Sequence, residues 1–432
     1  MLVLEGRAFF RGGLESLAIG IEAGRIARIA KTLRGDEHRD YGESLILPGG
    51  VDLHVHFRDP GDPHKEDFSS GTAAAAVGGV TTILDMPNTK PAVTSRRLLE
   101  EKLAAVRRKA HVDFGLYGAL RSAEDVRAFS GIAAGGKLYM APTTGGLEVS
   151  DPATLTGIVG AAAEVGLFMV AHAEAPWRFG KEEGRTLPAH NHMRPAEAEA
   201  SAIQALAEAA KEAAKPPRIH IAHLTSQAGF EALAHTAFTA EVTTHHLLLE
   251  ATMPLHQGGK VNPPLREAAD RQVLWSALAN GHLHALASDH APHTMDEKAL
   301  PFEQAPAGIP GVETMLPLML RAVKRGDLTI ERFVEASATG PANLLGLNAG
   351  TIAEGRVANL VIVDPRDIAV IRAKGLHSKC GWTPYEKMEA IFPRATYVRG
   401  ELAVENRTLV GERLGKPIPV ASATTPPRDD ER

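Results

Sequence analysis

The sequence has almost no cysteine: Cys380 is the only one among 432 residues. One cysteine cannot form an internal disulfide bond, and it cannot build a zinc site of several thiolates. Any metal ion bound by this chain must therefore be held by histidine and carboxylate side chains. We expect Cys380 to be a small packed residue rather than a nucleophile.

Long apolar runs and an excess of one charge are also missing. The sequence contains no stretch of about 18 uncharged apolar residues, which argues against a membrane span, and charges interrupt its first 30 residues, which argues against a signal peptide. The formal charge is −5 and the pI is near 6.4. Nucleic acid and membrane are therefore not expected partners, and we expect a cytoplasmic protein that acts on a small molecule.

Asparagine and glutamine are scarce, at eight and five residues. A composition poor in these side chains and in cysteine is common in thermophiles. A GC-rich genome produces the same bias, so the composition favours a thermophilic origin and leaves that alternative open.

The sequence does contain eight short apolar runs of strand length, bounded by turn residues. These runs are 51–57, 80–85, 112–117, 137–140, 167–172, 218–223, 241–245 and 284–289. Alanine-rich stretches with helical spacing, such as 95–110, 153–165 and 195–214, lie between them. Eight parallel strands with intervening helices predict an α/β protein with a (β/α)₈ TIM barrel, which we place at residues 48–346.

The two ends of the chain have a different pattern. Residues 1–47 and 347–410 alternate apolar and polar positions between glycines, which indicates short antiparallel strands. We expect the two ends to pair into one small β-sandwich domain beside the barrel. Residues 411–432 are rich in proline and charge, so we expect a poorly ordered tail or an arm there.

Histidines and a carboxylate collect at the predicted ends of the barrel strands. Side chains alternate along a strand, so His54 and His56 in VDLHVHFRDPG point to one face. His172, His223 and Asp289 end three further strands. Since a TIM barrel carries its chemistry at the carboxyl ends of its strands, a metal site is favoured over a set of isolated structural histidines.

Eight short motifs give the chain a resemblance to a known family. DLHVHFRDPG, MPNT, VAHAE, IAHLTS, VTTHHLLL, VNPPLR, ASDHAPHT and GIPGVET occur in the order found in dihydroorotases of the amidohydrolase superfamily. HVHFRDPG alone is shared with allantoinases and dihydropyrimidinases, whereas MPNT, VNPPLR and DHAPHT favour dihydroorotase. The resemblance implies reversible cyclisation of N-carbamoyl-L-aspartate to L-dihydroorotate in pyrimidine biosynthesis, through a hydroxide generated on the metal.

The resemblance also implies the metal ligands. His54, His56 and Asp289 would bind a first ion, and His172 and His223 a second. The expected cofactor is zinc, with one or two ions per chain, although histidine and carboxylate ligands suit cobalt, manganese and iron as well.

Lys137 on the fourth predicted strand would be a further ligand. Its segment GGKLYMAPTTGG resembles hydantoinase-like and animal forms, in which a carboxylated lysine bridges two metals. An ammonium would be repelled by two dications, so Lys137 would bind metal only as its carbamate. The alternative is an unmodified lysine that pairs with a carboxylate.

By the same resemblance, Arg58 and Asn88 would hold the carboxylate of the substrate, Arg58 with a bidentate fork. Further substrate contacts are implied for Asn262, His293, Ala307 and Gly308. Asp289 would carry a proton from water to the ring nitrogen. Cyclisation, which starts from protonated Asp289, is then expected to run better at mildly acidic pH, and ring opening at alkaline pH.

Other polar residues near these motifs receive supporting roles. The histidines at positions 190, 192, 245 and 246 are expected to border or support the site without binding metal. Residues 294–307 are the candidate for a mobile loop over the site, because they are polar and follow a ligand.

Two other functions stay open at this point. One is an allantoinase or hydantoinase that uses the same metal site for another cyclic amide. The other is an inactive dihydroorotase-like scaffold for aspartate carbamoyltransferase; such a chain should have lost ligands, and this one keeps them. We also expect a homo-oligomer, and an active enzyme could still assemble with that transferase.

Overall fold

A computed structural model describes residues 1–143, 146–181 and 184–420 of the chain. Its first four strands are β1 (Leu2–Phe10), β2 (Gly13–Glu22), β3 (Arg25–Ala30) and β4 (Glu37–Pro48). The next eight are β5 (Gly50–Val55), β6 (Val80–Asp85), β7 (Asp113–Ala119), β8 (Gly135–Tyr139), β9 (Phe168–His172), β10 (Arg218–Ile221), β11 (Thr239–Thr243) and β12 (Ala285–Ala287). The last are β13 (Leu360–Val363), β14 (Ile368–Val370), β15 (Glu389–Ile391), β16 (Ala395–Val398), β17 (Glu401–Glu405) and β18 (Thr408–Leu409).

The helices lie mostly between the strands of the second group. They are α1 (Phe68–Val77), α2 (Arg96–Val106), α3 (Ala123–Phe129), α4 (Pro152–Val165), α5 (Leu187–Met193), α6 (Ala196–Lys211), α7 (Gln227–Leu233), α8 (Thr244–Leu248), α9 (Ala268–Ala279), α10 (Met295–Lys298), α11 (Met315–Arg325), α12 (Ile330–Val334) and α13 (Gly340–Leu345). A π-helical turn, Glu335–Thr339, joins the last two. Several helices begin at a polar cap: Ser95, Ser122 and Asp151 each accept a hydrogen bond from the backbone N–H three residues ahead.

Strands β5 to β12 pair as parallel neighbours in chain order, and the ring closes between β12 and β5. The backbone N–H of His56 donates to the carbonyl of His290 at 2.8 Å. The buried carboxylate of Asp52 accepts hydrogen bonds from the N–H groups of His54 and Ser288, each at 3.1 Å. Closure therefore brings the carboxyl ends of the first and last barrel strands together.

The barrel strands are buried along nearly their whole length, because helices cover the outside of the ring. Small side chains allow the helices to lie close to the strands. In α1, the four consecutive alanines at positions 73–76 are all buried. The alanine-rich stretches of the sequence are thus the outer layer of the barrel.

The two ends of the chain form one mixed sheet of eight strands, in the order β18-β17-β16-β13-β4-β1-β2-β3. Antiparallel pairing of β13 with β4 joins the ends, with Leu360 opposite Pro48 and Val363 opposite Leu45. An apolar core of its own backs this sheet. The expected sheet domain built from both chain ends is therefore confirmed.

Residues 411–420 pack as an arm against the amino end of β7. The N–H of Phe114 donates to the carbonyl of Lys416 at 3.0 Å, and the N–H of Ile418 donates to the carbonyl of Phe114 at 2.8 Å. Strand β8 pairs with β7 only from Tyr117 onward. The arm therefore occupies the part of this strand edge that β8 leaves open, and the remainder of the predicted tail, 421–432, lies outside the described residues.

The predicted barrel is also confirmed, since each of the eight predicted runs overlaps one of the strands β5 to β12. Cys380 is buried, as expected, and burial raises the pKa of its thiol. No helix in the described ranges has the length and apolar character needed to cross a lipid bilayer.

The arm predicts a measurable loss of stability when it is removed. A chain that ends at Val410 loses the backbone hydrogen bonds to Phe114, worth about 1 kcal/mol each. We expect the Tm, measured by calorimetry, to fall by about 2–4 °C. A chain that ends at Val420 keeps these contacts and is the control; equal Tm values for the two truncated chains would show that the arm contributes no stability.

Candidate functional site

A small cavity of about 60 Å³ opens at the carboxyl ends of the barrel strands. Every residue predicted for the site lines this cavity except His293, which lies behind Arg58. Tyr139, Thr143 and Ala291 complete the lining. The barrel therefore brings together residues that are up to 254 positions apart in the sequence, from His54 to Gly308.

One group of ligand atoms lies where the barrel closes. His54, His56 and Asp289 each offer one atom, and these atoms lie within 4.8 Å of one another. The carboxylate Oδ1 of Asp289 is 3.3 Å from Nε2 of both histidines. Burial alone would raise the pKa of Asp289, but His54 and His56 outweigh it and hold the pKa well below its usual value. This cluster could hold a metal ion.

The outer nitrogens of these two histidines are fixed by hydrogen bonds. Nδ1 of His54 lies 2.7 Å from the carboxylate of Glu241, and Nδ1 of His56 lies 2.7 Å from Oδ1 of Asn88. Both partners accept, so each ring carries its proton on Nδ1 and leaves Nε2 for a cation. Asn88, predicted to bind substrate, is therefore also an orienting partner of His56.

A second pair of ring nitrogens faces the first group. Nδ1 of His172 lies 3.1 Å from Nε2 of His223, and the two rings meet edge to face. Nε2 of His172 donates instead to Glu174 at 2.7 Å. Burial lowers the pKa of both rings, so they are neutral, as metal ligands must be.

Lys137 lies in the same cavity, and the described residues include no polar partner for it. Its side chain is fully buried, and its Nζ has no hydrogen bond or ion pair in the described part of the chain. Burial lowers the pKa of this amine to about 8, although Glu241 and Asp289 act in the opposite direction. None of the described carboxylates therefore forms an ion pair with this lysine.

Glu241 on β11 was not predicted from the sequence. Its carboxylate is fully buried and contacts three other residues: Nδ1 of His54, Nε2 of His220 at 3.3 Å, and the backbone N–H of His223 at 3.3 Å. Burial would raise the pKa of Glu241, but His54 and His220 lower it strongly. The only signal in the sequence is a charged residue inside an otherwise uncharged strand.

Glu174, two residues beyond His172, has a similar role at the second pair. It accepts from His172 and forms a buried ion pair with Arg194, whose Nε lies 3.0 Å from Oε1. The motif VAHAE contains Glu174, whereas Arg194 belongs to none of the motifs. The ion pair compensates a buried carboxylate and fixes the orientation of the His172 ring.

Tyr139 is a further cavity residue that sequence reasoning missed. It lies two positions after Lys137 on β8, so both side chains are on one face of the strand, and Nζ of Lys137 is 5.4 Å from the centre of its ring. The hydroxyl is buried without a hydrogen-bond partner among the described residues. Burial raises the pKa of Tyr139 well above its usual value, so the hydroxyl stays a donor.

The cation Arg58 lies beside the metal-ligand groups and is buried. Its Nη2 is 3.2 Å from Nε2 of His293, and its Nε donates to the carbonyl of Pro292 at 3.3 Å. Nε2 of His293 also lies 3.1 Å from the backbone carbonyl of Ala307, so this one nitrogen contacts both the guanidinium and the carbonyl. Burial and Arg58 accordingly lower the pKa of His293 to about 2.

Asn262 is held from outside the cavity by His190, whose Nε2 donates to Oδ1 of Asn262 at 2.9 Å. The supporting role predicted for His190 thus corresponds to a specific contact, while His192 is exposed. His246 is buried and bonds Thr243 at 2.7 Å. Neither His190 nor His246 lines the cavity.

Three residues of the site hold a backbone conformation that side chains other than glycine rarely adopt. Arg58 has φ +59°, His223 has φ +38° and Asp289 has φ +42°. Such conformations cost of order 1–3 kcal/mol each and persist only where surrounding contacts impose them. Here they turn the three side chains toward the cavity at the points where their strands end.

Comparison with known proteins agrees with this geometry. Residues 45–402 match the amidohydrolase family. The chain is 38% identical to a dihydroorotase of Methanosarcina acetivorans, with 92% of this chain and 90% of the relative covered. It is 39% identical to a dihydroorotase of Halobacterium salinarum, with 90% and 94% covered. Among solved structures, L-hydantoinase (dihydropyrimidinase) from Arthrobacter aurescens has a TM-score of 0.90 at 28% identity, with 97% of this chain and 99% of that chain covered.

Glu241 gives a prediction for metal affinity. In Glu241→Gln the charge that orients His54 and compensates the site is lost, so we expect divalent metal to bind about 10- to 100-fold more weakly, measured by competition with a chelator. The control is Glu313→Gln, which removes another buried carboxylate, paired with His377. Equal metal affinity in the Glu241 variant and the wild type would contradict an orienting role.

Proposed function

Because the chain belongs to the amidohydrolase family and its relatives include dihydroorotases, we propose that it closes N-carbamoyl-L-aspartate to L-dihydroorotate and reopens that ring. The observation that carries this proposal is a buried guanidinium, Arg58, in the same 60 Å³ cavity as the His54, His56 and Asp289 cluster. A cation at this place suits a substrate that bears a carboxylate beside the reacting amide.

The residues present fit one or two divalent cations, for which we propose zinc. His54, His56 and Asp289 would hold one ion. His172, His223 and a carboxylated Lys137 would hold or share the other. Support comes from the oriented rings and from the buried amine, for which the described residues supply no hydrogen-bond partner. A bound dication would lower the pKa of water and polarise the substrate carbonyl.

The proton balance assigns a role to Asp289. Ring opening adds water to the ring amide carbonyl and breaks the C–N bond, so a proton must move from water to the ring nitrogen. Asp289 lines the cavity with a depressed pKa, and its carboxylate can accept that proton and deliver it to the nitrogen. Cyclisation is the reverse: it removes one carboxylate, consumes one proton overall and is favoured by falling pH.

The substrate would lie between Arg58 on one side of the cavity and the backbone of Ala307 and Gly308 on the other, which we call the backbone side. Arg58 binds the carboxylate, while Asn262 and the backbone at Ala307 and Gly308 contact the ring amide. All of these line the same space. His293 acts on Arg58 from behind, at 3.2 Å, and limits the orientations that the guanidinium can adopt.

Burial supports the carboxylation of Lys137. Only a neutral amine attacks CO₂, and burial lowers the pKa of Lys137 to about 8, so a substantial fraction is neutral near physiological pH. The product replaces a cation for which the described residues supply no partner by an anion with two oxygen ligands. This change suits a site that is otherwise built of neutral histidines and one aspartate.

A hydantoinase is the second candidate, because hydantoinases have closely similar folds; a D-hydantoinase from a Thermus species has a TM-score of 0.88 at 25% identity, with 98% of this chain and 100% of that chain covered. The higher identity to dihydroorotases, 38% and 39% against 28% and 25% for the two hydantoinases, favours dihydroorotase. An inactive scaffold is disfavoured by the complete ligand set. Cytoplasmic location, a homo-oligomer and assembly with aspartate carbamoyltransferase stay predictions.

The first test is metal content paired with turnover. Protein purified without chelator is expected to contain one to two divalent ions per chain and to open dihydroorotate at pH 8 faster than hydantoin or allantoin. Faster turnover of hydantoin would select the second candidate. A chain without metal and without turnover, even after addition of zinc and bicarbonate, would reject the enzyme.

The carbamate predicts a second measurement. Incubation with ¹³C-bicarbonate should give a carbamate signal by NMR in the wild type, and Lys137→Met should lose both this signal and the second metal ion. Lys324→Met, which changes an exposed lysine of α11, is the control and should keep both. Electron density that ends at Nζ of Lys137 in the metal-loaded protein would contradict carboxylation.

A further inference from the structure

Lys298, the last residue of α10, has a buried side chain with three hydrogen-bond acceptors. Its Nζ donates to the backbone carbonyls of Lys260 at 3.3 Å, Pro306 at 2.9 Å and Gly308 at 3.1 Å. A lysine Nζ carries up to three N–H donors, and here three carbonyls lie within hydrogen-bond distance of it. Only 6% of the residue is exposed.

The three carbonyls belong to the segments that carry the proposed substrate contacts on the backbone side of the cavity. Lys260 lies two residues before Asn262, and Pro306 and Gly308 flank Ala307. His293 is linked to Lys298 through Trp382. The indole Nε1 of Trp382 donates to the backbone carbonyl of His293 at 2.7 Å. The Trp382 ring centre lies 5.6 Å from the Lys298 Nζ.

Further contacts restrain the backbone of residues 307–308. The N–H of Gly308 donates to the carbonyl of Lys260 at 2.9 Å. Gly308 has φ +136°, and a Cβ added there would lie 2.5 Å from the carbonyl oxygen of Ala291. Because the carbonyl of Gly308 is held by Lys298, both of its backbone polar groups have protein partners.

Ala307 is different, because its N–H has no hydrogen-bond partner within the described ranges and the residue lines the cavity. The segment therefore offers one backbone donor to a ligand. Its position is set by His293, whose Nε2 lies 3.1 Å from the carbonyl of Ala307, and by the contacts of the two carbonyls beside it. Both of these carbonyls accept from Lys298.

We propose that Lys298 is a positioning residue that holds residues 306–308 so that the backbone of Ala307 meets the ring amide of the substrate. This inference rests on the proposed function, because it takes a cyclic amide as the ligand. It also assigns a role to part of the predicted mobile loop, 294–307: this segment is anchored at Lys298 and, through Glu297, to Lys65 at 2.6 Å.

The chain offers a matched control for this role. Lys260 is also a buried lysine, and its Nζ donates to the carbonyls of Phe302 at 2.7 Å and Glu303 at 3.4 Å. Neither of these residues lines the cavity. Lys260→Met therefore removes a comparable buried lysine side chain, whose contacts are with residues 302 and 303, and it keeps the backbone carbonyl that accepts from Gly308.

The experiment compares Lys298→Met with Lys260→Met in the metal-loaded protein. Loss of the contacts to 306–308 should raise the KM for dihydroorotate by about 5- to 30-fold in Lys298→Met, with kcat within about twofold because no group at the reacting atoms changes. Lys260→Met should keep the KM within about twofold. An equal rise in both variants, or an unchanged KM in Lys298→Met, would overturn the proposal.

Amide hydrogen exchange provides a readout that needs no turnover. The N–H of Gly308 should exchange faster in Lys298→Met than in the wild type and in Lys260→Met, because its segment is released. Unchanged exchange at Gly308 would refute the positioning role even in an active enzyme. A wild type that does not open dihydroorotate would instead refute the proposed function, and the exchange result would still decide whether Lys298 holds the segment.

Discussion

The buried carboxylate of Glu241 is the interaction on which the arrangement of the cavity depends. A charge with no access to water must be compensated inside the protein, and here His54, His220 and the backbone of His223 compensate it. These partners lie on or just after strands β5 and β10, whereas Glu241 lies on β11. One carboxylate therefore links three barrel strands. Its need for hydrogen-bond donors fixes the positions of His54 and His223, which face the cavity.

The cavity itself has the opposite character, because it gathers donors and lone pairs that lack partners. The amine of Lys137 and the hydroxyl of Tyr139 are both buried without hydrogen bonds in the described part of the chain. Such groups are costly in a folded protein unless a ligand completes them. Glu241, Asn88 and Glu174 bind the nitrogens of His54, His56 and His172 that point away from the cavity, while polar groups inside the cavity lack partners among the described residues. This is the pattern of a site that is organised before its ligand binds.

The sequence predicted those parts of the molecule that follow from local patterns. Strand length and alternation located the barrel strands, and the rule that chemistry lies at strand ends located His54, His172 and Asp289. Glu241, Arg194 and Lys298 could not be found in this way, because their roles depend on which strands and loops become neighbours after the barrel closes. The orienting contact of Asn88 with His56, at 2.7 Å, was missed for the same reason.

The left-handed backbone of Arg58, His223 and Asp289 has a consequence for evolution in the laboratory. Glycine adopts this conformation without steric cost, so glycine at these positions would relieve stored backbone energy while deleting a guanidinium, an imidazole or a carboxylate from the cavity. A library of variants screened only for heat tolerance would therefore accumulate glycine at these three positions, and the selected variants would be inactive. The original residues would be retained only if the library were selected for catalytic turnover at the same time.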